Sequence, residues 1–440
     1  MVLLPHPARE RTPIRIALTG ANGGYGRTLL AQLRSTPEIL PAVLIDPDLD
    51  GVGRMLDDLG IDRSVISVVP DAAHLDWNGL DVLVEASGRV SAGYDYASTA
   101  LSHGTHVVMV SKEVDSVVGP ALAAAARDAG LSYLAGDGDQ PANLLRLVDW
   151  VSAVGLDIVA IGKSGEYDLE FDPATGRVVQ SGVEIAAPGL AELLELGDDV
   201  AATLAARAAL VSTLKRAAAA DSCEMAVVAT RTGLTADVEA MHYPVARIDE
   251  LADIYALAAD GGIVSRDGVV DVFSGLRLPG EASFAGGVFA IVRTGDPVTW
   301  EILRGKGHVL SRDGKYACLY WPYHYMGVET PLTIHAAVDR APAAAPVWNS
   351  ILAARTSVDL AAGTAFSVAG HHHEIAGVSP VMIDPAASVA PYYLLDGARL
   401  TRAIPAGEVV RLEDLEGVAD APLAAYLAGT TLMDSNGAHR

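Results

Sequence analysis

Continuous apolar runs alternate with helical stripes along the first third of the chain. Ile14 to Gly20 (IRIALTG) is an unbroken apolar run of the kind that lies buried on both faces of a parallel sheet. It leads into YGRTLLAQLRS, where Leu29, Leu30 and Leu33 fall on one helical face. The alternation then repeats. PAVLIDPD, SVISVVPD, LDVLVEAS, HVVMVSKE and SYLAGDGD predict five further strands, with DYASTALSH and GPALAAAARDAG as helices among them. This pattern predicts an α/β fold with a Rossmann-type parallel sheet over residues 1–150.

The pattern changes afterwards. LDIVAIGKSG predicts a strand, followed by a polar loop, one long helix from about Gly189 to Ala220, and the strands GVFAIVRT, GHVLS and YACLYWPY. The Asp-Gly of RDGK predicts a hairpin between the last two. Grouped rather than alternating elements predict an α+β domain over residues 151–340. A helix starts near Pro331, and the three prolines of RAPAAAPVW then mark a domain edge. Turns at LAAG, LLDG and IPAG predict a small β-rich domain over residues 347–440.

Composition narrows the function. The chain has 440 residues, half of them hydrophobic, enough for two or three cores. Its net charge of -24, without an extended Lys/Arg cluster, excludes the footprint of a nucleic-acid or anionic-membrane binder and leaves a small-molecule substrate. Cys223 and Cys318 form no CxxC pair, which fits a reducing compartment and gives no thiol zinc site. MVLLPHPARERTPIRIALTG lacks the continuous apolar core of a signal peptide, and Arg207, Lys215 and Arg216 interrupt the alanine-rich run 201–220. A cytoplasmic location is expected.

The first strand ends in a loop rich in glycine. Gly20, Gly23 and Gly26 stand in G-x-x-G-x-x-G spacing between a strand and a helix, with Asn22, Gly24 and Tyr25 among them. Bare backbone N–H groups at a helix start can hold a pyrophosphate. Asp46, at the end of the next strand, is placed to bond an adenosine ribose. Its charge favours NAD over NADP, although Arg27 and Arg54 lie close enough in sequence to alter that choice. In EASGR, Ser87 and Gly88 close the fourth strand with small residues, where a nicotinamide ribose would approach the backbone.

Three charged clusters follow apolar strands: Lys112 and Glu113; Asp137, Asp139 and Gln140; Lys163, Glu166 and Asp168. In an open parallel sheet such ends face the ligand crevice. A lysine there can stabilise an oxyanion or pass a proton, and the carboxylates can orient hydroxyls, act as a base or hold a divalent metal. In YWPYHYMGVETP, His324 can polarise a carbonyl, and Tyr323 and Tyr325 can line a pocket. Consecutive histidines in GHHHEIAG point to opposite faces of an extended segment, so this stretch reads as a polar loop rather than a metal site.

Together TGANGGYGR, VVMVSKEVD, AGDGDQPANLLRLVDW, AIGKSGEYD, GGVFAIVRTGDP and YACLYWPYHYMGVETPLTIHAAV make the chain resemble the homoserine dehydrogenase-like oxidoreductases that carry a C-terminal SAF-type domain. One branch is the 1-deoxy-D-xylulose 5-phosphate reductoisomerase-like enzymes. SVDLAAGTAF and TRAIPAGEVVRLEDL are similar to the paired turns of SAF domains. The resemblance implies a Rossmann domain, a dimerising α+β catalytic domain, hence a homodimer, and a small β-clip-like appendage. For the reductoisomerase-like branch it implies NADPH-dependent rearrangement and reduction of a phosphorylated ketose with a divalent metal. Lys112 matches the lysine after the cofactor-domain strand, Asp137, Asp139 and Gln140 match a DGDQ block, and Lys163, Glu166 and Asp168 match a lysine and acids of the SAF-bearing group. The expectation is an NAD- or NADP-dependent oxidoreductase acting on a hydroxy or keto group. The alternative is a nucleotide-binding sensor on the same scaffold.

Overall fold

The computed structural model describes residues 12–339, 347 and 349–436. They form two compact units, one of residues 12–139 with 325–339, the other of residues 140–324 with 347 and 349–436. The predicted linker RAPAAAPVW lies outside the described residues except for Val347.

In the first unit, β1 (Ile14–Thr19), β2 (Ile39–Ile45), β3 (Ser67–Val69), β4 (Val82–Glu85), β5 (His106–Met109) and β6 (Tyr133–Ala135) pair in the order β3-β2-β1-β4-β5-β6. Every pairing is parallel, so the unit is Rossmann-like α/β, as the alternation predicts. The helices are α1 (Gly24–Leu33), α2 (Leu49–Leu59), α3 (Val90–Ser102) and α4 (Lys112–Asp128). Leu29, Leu30 and Leu33 of α1 pack with Ile16, Leu18, Leu44, Val82 and Val84, the burial that fixes this helix on the sheet. The sheet order reverses between β1 and β4, which is where open α/β sheets leave a crevice. A helix from the distant segment, Thr330–Val338, adds Ile334 and Ala337 to the same core.

The second unit starts with α5 (Gln140–Ala153) and a mixed sheet. Its strands are β7 (Ile158–Ser164), β8 (Leu169–Asp172), β9 (Arg177–Gln180), β10 (Val183–Ala186), two-residue β11 (Thr235–Ala236) and β12 (Val245–Ala246), β13 (Val269–Arg277), β14 (Val288–Arg293), β15 (Val309–Leu310) and β16 (Tyr316–Trp321). β7 lies between parallel β13 and antiparallel β14. β15 and β16 form the hairpin that RDGK predicts.

Two expectations need correction. The polar loop after β7 is instead the meander β8-β9-β10, whose short runs alternate too briefly to stand out. The long helix from Gly189 to Ala220 is a 3-10 stretch followed by two helices, α6 (Val200–Leu210) and α7 (Ala219–Thr232). The break has a physical cause. Arg207 is fully buried and bonds Glu250 and the carbonyls of Leu193, Leu194 and Val245, which fixes the end of α6, while Asp221 accepts from the Ala218 N–H at the start of α7.

The carboxyl-terminal part is built from small antiparallel pieces. Ile351–Thr356 pairs with Val378–Ile383, and Val368–Ala369 pairs with Glu374–Ile375. It is tied to the segment around α7 by Val347 N–H to Thr230 O at 2.7 Å and Met382 N–H to Glu239 O at 2.7 Å. Among the described residues, no helix is long and apolar enough to cross a membrane.

Candidate active site

The glycine loop opens at the carboxyl end of β1. Gly20 has φ +61°, and a Cβ there would collide with the Ala86 carbonyl; one at Gly26 would collide with the Ala21 carbonyl. Those two positions need glycine for packing alone. Gly23 differs. It is the extended N-cap of α1 and is exposed, and a Cβ on it would meet only Gly20 O, at 3.1 Å. Asn22, Gly23 and Gly24 are all exposed at the helix start, so the loop offers an anion an approach to backbone at a positive dipole end.

The neighbours of the loop are fixed from within the unit. Asp46 is buried, and its carboxylate accepts from Asn22 N–H and Asp48 N–H, both at 2.9 Å. Asn22 Nδ2 donates to Asp48 at 3.0 Å. Glu85 ends β4 fully buried and accepts from Thr19 Oγ1 at 3.1 Å and Ser87 N–H at 3.0 Å; burial pushes its carboxyl above the ordinary range. Gly88, at φ +66°, donates to Ser111 Oγ at 2.8 Å. The Tyr25 hydroxyl bonds Thr330 Oγ1 and the Asp137 carbonyl, and burial drives its pKa far up.

Of the residues that follow β5 and β6, Lys112 is the half-buried first residue of α4. Asp137 is buried; Thr333 Oγ1 accepts its N–H at 2.8 Å and donates to its carboxylate, which anchors the helix Thr330–Val338. Asp139 is half-buried next to it.

Lys163 lies in β7 of the other unit, one residue before the strand ends. It is fully buried. Its Nζ is 2.8 Å from Asp221 Oδ1 and 3.2 Å from Glu166 Oε1, and it bonds Glu224 as well. Asp221 and Glu224 come from α7, three residues apart and hence on one helical face. Both side chains have no exposed surface, whereas 27% of the Glu166 side chain remains exposed. Burial pushes the Asp221 carboxyl up to about 6, assisted by the charges of Glu224 and Glu166 and opposed by Lys163. The phenol of Tyr243 is raised by burial and then by the charge of Asp221.

Two other predicted residues lie outside this nest. Asp168 bonds Arg277 Nε at 2.6 Å, and the ring of His324 bonds the Gly286 carbonyl through Nδ1 at 3.1 Å. Gly286, at φ +79°, leaves the space that this ring fills. The sequence reading missed Asp221 and Glu224, although two acids inside the apolar run AADSCEMAVVAT are a signal of buried charge.

A nest of this kind can move a proton. An ammonium surrounded by carboxylates, one of which titrates near neutrality, can donate to a developing alkoxide and be reprotonated through Glu166 from solvent. The donor set also bears on a metal. The oxygens of Glu166, Asp221 and Glu224 lie within 4.8 Å of one another, a spacing that suits a hard divalent cation. Lys163 Nζ already stands among those same oxygens. With the ammonium in that place the residues do not fit a resident metal.

Residues 138–330 match the family described as oxidoreductase DRL, catalytic domain. That stretch contains the whole Lys163 nest. No curated protein matches the chain by sequence. Among solved structures, the chain is similar to an oxidoreductase from Agrobacterium radiobacter in complex with NAD+, L-tartaric acid and magnesium, at 17% identity and TM-score 0.29, covering 36% of this chain and 46% of that one. It is also similar to a homoserine dehydrogenase from S. aureus, at 18% identity and TM-score 0.23 over 32% of this chain and 44% of that one. Aspartate semialdehyde dehydrogenase II from Vibrio cholerae aligns at 10% identity and TM-score 0.37 over 74% of this chain and 97% of that one. The match thus spans under half the length of the Agrobacterium and S. aureus enzymes.

Proposed function

We propose that the chain is a nicotinamide-dependent oxidoreductase that interconverts a hydroxyl and a carbonyl on a small polar substrate, with or without a phosphate. The observation that carries this reading is the fully buried Lys163 ammonium among Glu166, Asp221 and Glu224, inside a stretch that matches an oxidoreductase catalytic domain. The exposed backbone of Gly23 and Gly24 at the start of α1 fits a pyrophosphate, although the Gly23 N–H donates to the Gly20 carbonyl at 3.0 Å and would have to leave it, and the buried Asp46 carboxylate at the end of β2 favours NAD over NADP. The loop would hold a nicotinamide cofactor, whose chemistry would be to supply or accept the hydride.

The residues of the chain do the rest. As the carbonyl carbon gains its hydride, the π electron pair moves onto oxygen, and Lys163 Nζ gives that oxygen a proton. Asp221 and Glu166 return a proton to the amine. In the opposite direction Lys163 takes the hydroxyl proton and the carboxylates carry it away. Lys112, which follows a buried strand and matches a lysine of the family it resembles, is assigned to stabilise the oxygen at the reacting carbon. Isomerisation before reduction is the sharper form of this reading: a carbon shift would give an aldehyde that the same hydride reduces. The working form is a homodimer, as the resemblance implies.

The test is a thermal-shift titration of the full chain with NADH and NADPH, followed by turnover assays on sugar phosphates, polyols and hydroxy amino acids. Lys163→Ala is expected to leave NADH affinity unchanged and to lower turnover about a hundredfold, the scale of losing one oxyanion donor. Failure to bind either cofactor, or wild-type turnover in Lys163→Ala, overturns the proposal.

A further inference from the structure

The carboxyl-terminal β region brings an imidazole to the rim of the Lys163 nest. The turn that carries His371, His372 and His373 runs from Gly370, at φ +75°, to Glu374, the first residue of a short strand. His373 itself has φ +52°, a left-handed backbone that a side-chain-bearing residue adopts when its surroundings hold it there. The hold is visible: Ile375 N–H donates to the Tyr392 hydroxyl at 2.8 Å, and Glu374–Ile375 pairs with Val368–Ala369. The His372 ring meets the Tyr167 ring edge-on with centroids 4.9 Å apart, and His371 stands 5.0 Å from His372. Tyr167 directly follows Glu166, the nest's partly exposed carboxylate. Lys215 Nζ lies 5.9 Å from the centre of the same tyrosine ring.

We infer that Lys215 and His372 form a receptor for an oxyanion substituent of the substrate, phosphate or carboxylate, so that the carboxyl-terminal region is part of the substrate site. The inference rests on the oxidoreductase reading, which makes the Lys163 nest the place of reaction. Three carboxylates against one ammonium leave the nest negative, and an anionic substrate reaches it only if cationic donors near its open edge offset the repulsion. Lys215 meets that need. Its side chain is 63% exposed, and its present partner, Glu374, is 3.4 Å from Nζ through both oxygens. A long surface pair of this kind contributes little and exchanges readily for a phosphate, which offers shorter charge-assisted bonds. His372 adds a ring N–H on the other partner of Tyr167. A histidine metal site is disfavoured, because the one group with metal-ligand spacing among the described residues contains no histidine.

The experiment uses the full chain and inorganic phosphate as probe, followed through the imidazole signals in long-range proton–nitrogen NMR spectra, with a parallel NADH titration. Phosphate is expected to shift the His372 signals, and Lys215→Ala and His372→Ala are each expected to weaken phosphate binding about tenfold, the loss of one charge-assisted bond. Lys215→Arg should restore it, and NADH affinity should be equal in all four proteins. Acetate competing with phosphate for the same signals identifies the receptor as one that takes carboxylates too. If neither anion moves the His372 signals, or if phosphate binds equally well in both alanine variants, the inference falls while intact NADH binding leaves the oxidoreductase reading standing. Loss of NADH binding in the wild type instead overturns that reading.

Discussion

Replacing Asp221 by asparagine isolates the energetic cost of the nest. In the folded chain this carboxyl is raised from 3.8 to about 6, chiefly by burial. The folded state therefore holds its proton more tightly than the unfolded state, and stability falls as pH rises through that interval, with the full penalty present above the folded value. The rise is roughly 2 pH units, each equivalent to about 1.4 kcal/mol, so the ionised carboxylate costs about 3 kcal/mol of stability near neutral pH. Asparagine keeps the shape without the charge. The difference in unfolding free energy, Asp221→Asn minus wild type, should thus grow by about 3 kcal/mol between about pH 4 and about pH 7. Urea denaturation of both proteins across that range measures it, and contributions from carboxylates elsewhere cancel in the difference. In the direction that oxidises the hydroxyl, where the carboxylates take up the proton, the same substitution should remove an acidic limb near pH 6 from the turnover profile. A difference that stays constant with pH, or one that shrinks as pH rises, refutes the reasoning, because Asp221 would then be ionised at no net cost beside Lys163.

Other perturbations separate the remaining parts. Gly20→Ala, which combines a positive φ with a collision against Ala86, should lower stability by about 2 kcal/mol or more, whereas Gly23→Ala should melt close to the wild type and lose NADH affinity; thermal shifts with and without NADH distinguish the two. Lys163→Ala should lose about 3–5 kcal/mol of stability by leaving buried carboxylates unpaired. Manganese should raise the melting temperature of that variant and leave the wild type unaffected, because only the variant opens the oxygen set to a cation. Asp46→Ala should narrow the preference for NADH over NADPH, read as the ratio of the two dissociation constants, since the carboxylate that would repel a 2′-phosphate is gone.

The first unit was legible because its signals are local. Six apolar runs, each followed by a polar turn, give six parallel strands, and the position of Gly20, Gly23 and Gly26 after β1 marks the loop without any need for tertiary information. The nest was only half legible. Lys163 and Glu166 lie within four residues and announce themselves after an apolar strand, but their partners Asp221 and Glu224 arrive from α7, more than fifty residues later. The expected helix stopped at Ala220, one residue short of Asp221, so neither acid was placed on a helix; the break set by the buried Arg207 pair, after which α7 starts, is a tertiary event with no local mark. Asp168 was grouped with Lys163 by sequence proximity, yet it stands in the loop just before β8 and is held by Arg277 at the end of β13. The histidine turn read as an ordinary polar loop because the ring it meets, Tyr167, is about two hundred residues away in the chain.

The helix Thr330–Val338 has a consequence for synthesis. Ile334 and Ala337 fill the hydrophobic interior of the first unit, Thr333 holds Asp137, and Ser132 donates to the Ala337 carbonyl. That unit therefore stays incomplete on the ribosome until almost two hundred further residues have emerged, and a fragment cut after α5 would present a vacant apolar socket to chaperones. Capture of the proposed cofactor is thereby a late event in biogenesis, available only to chains translated past Val338.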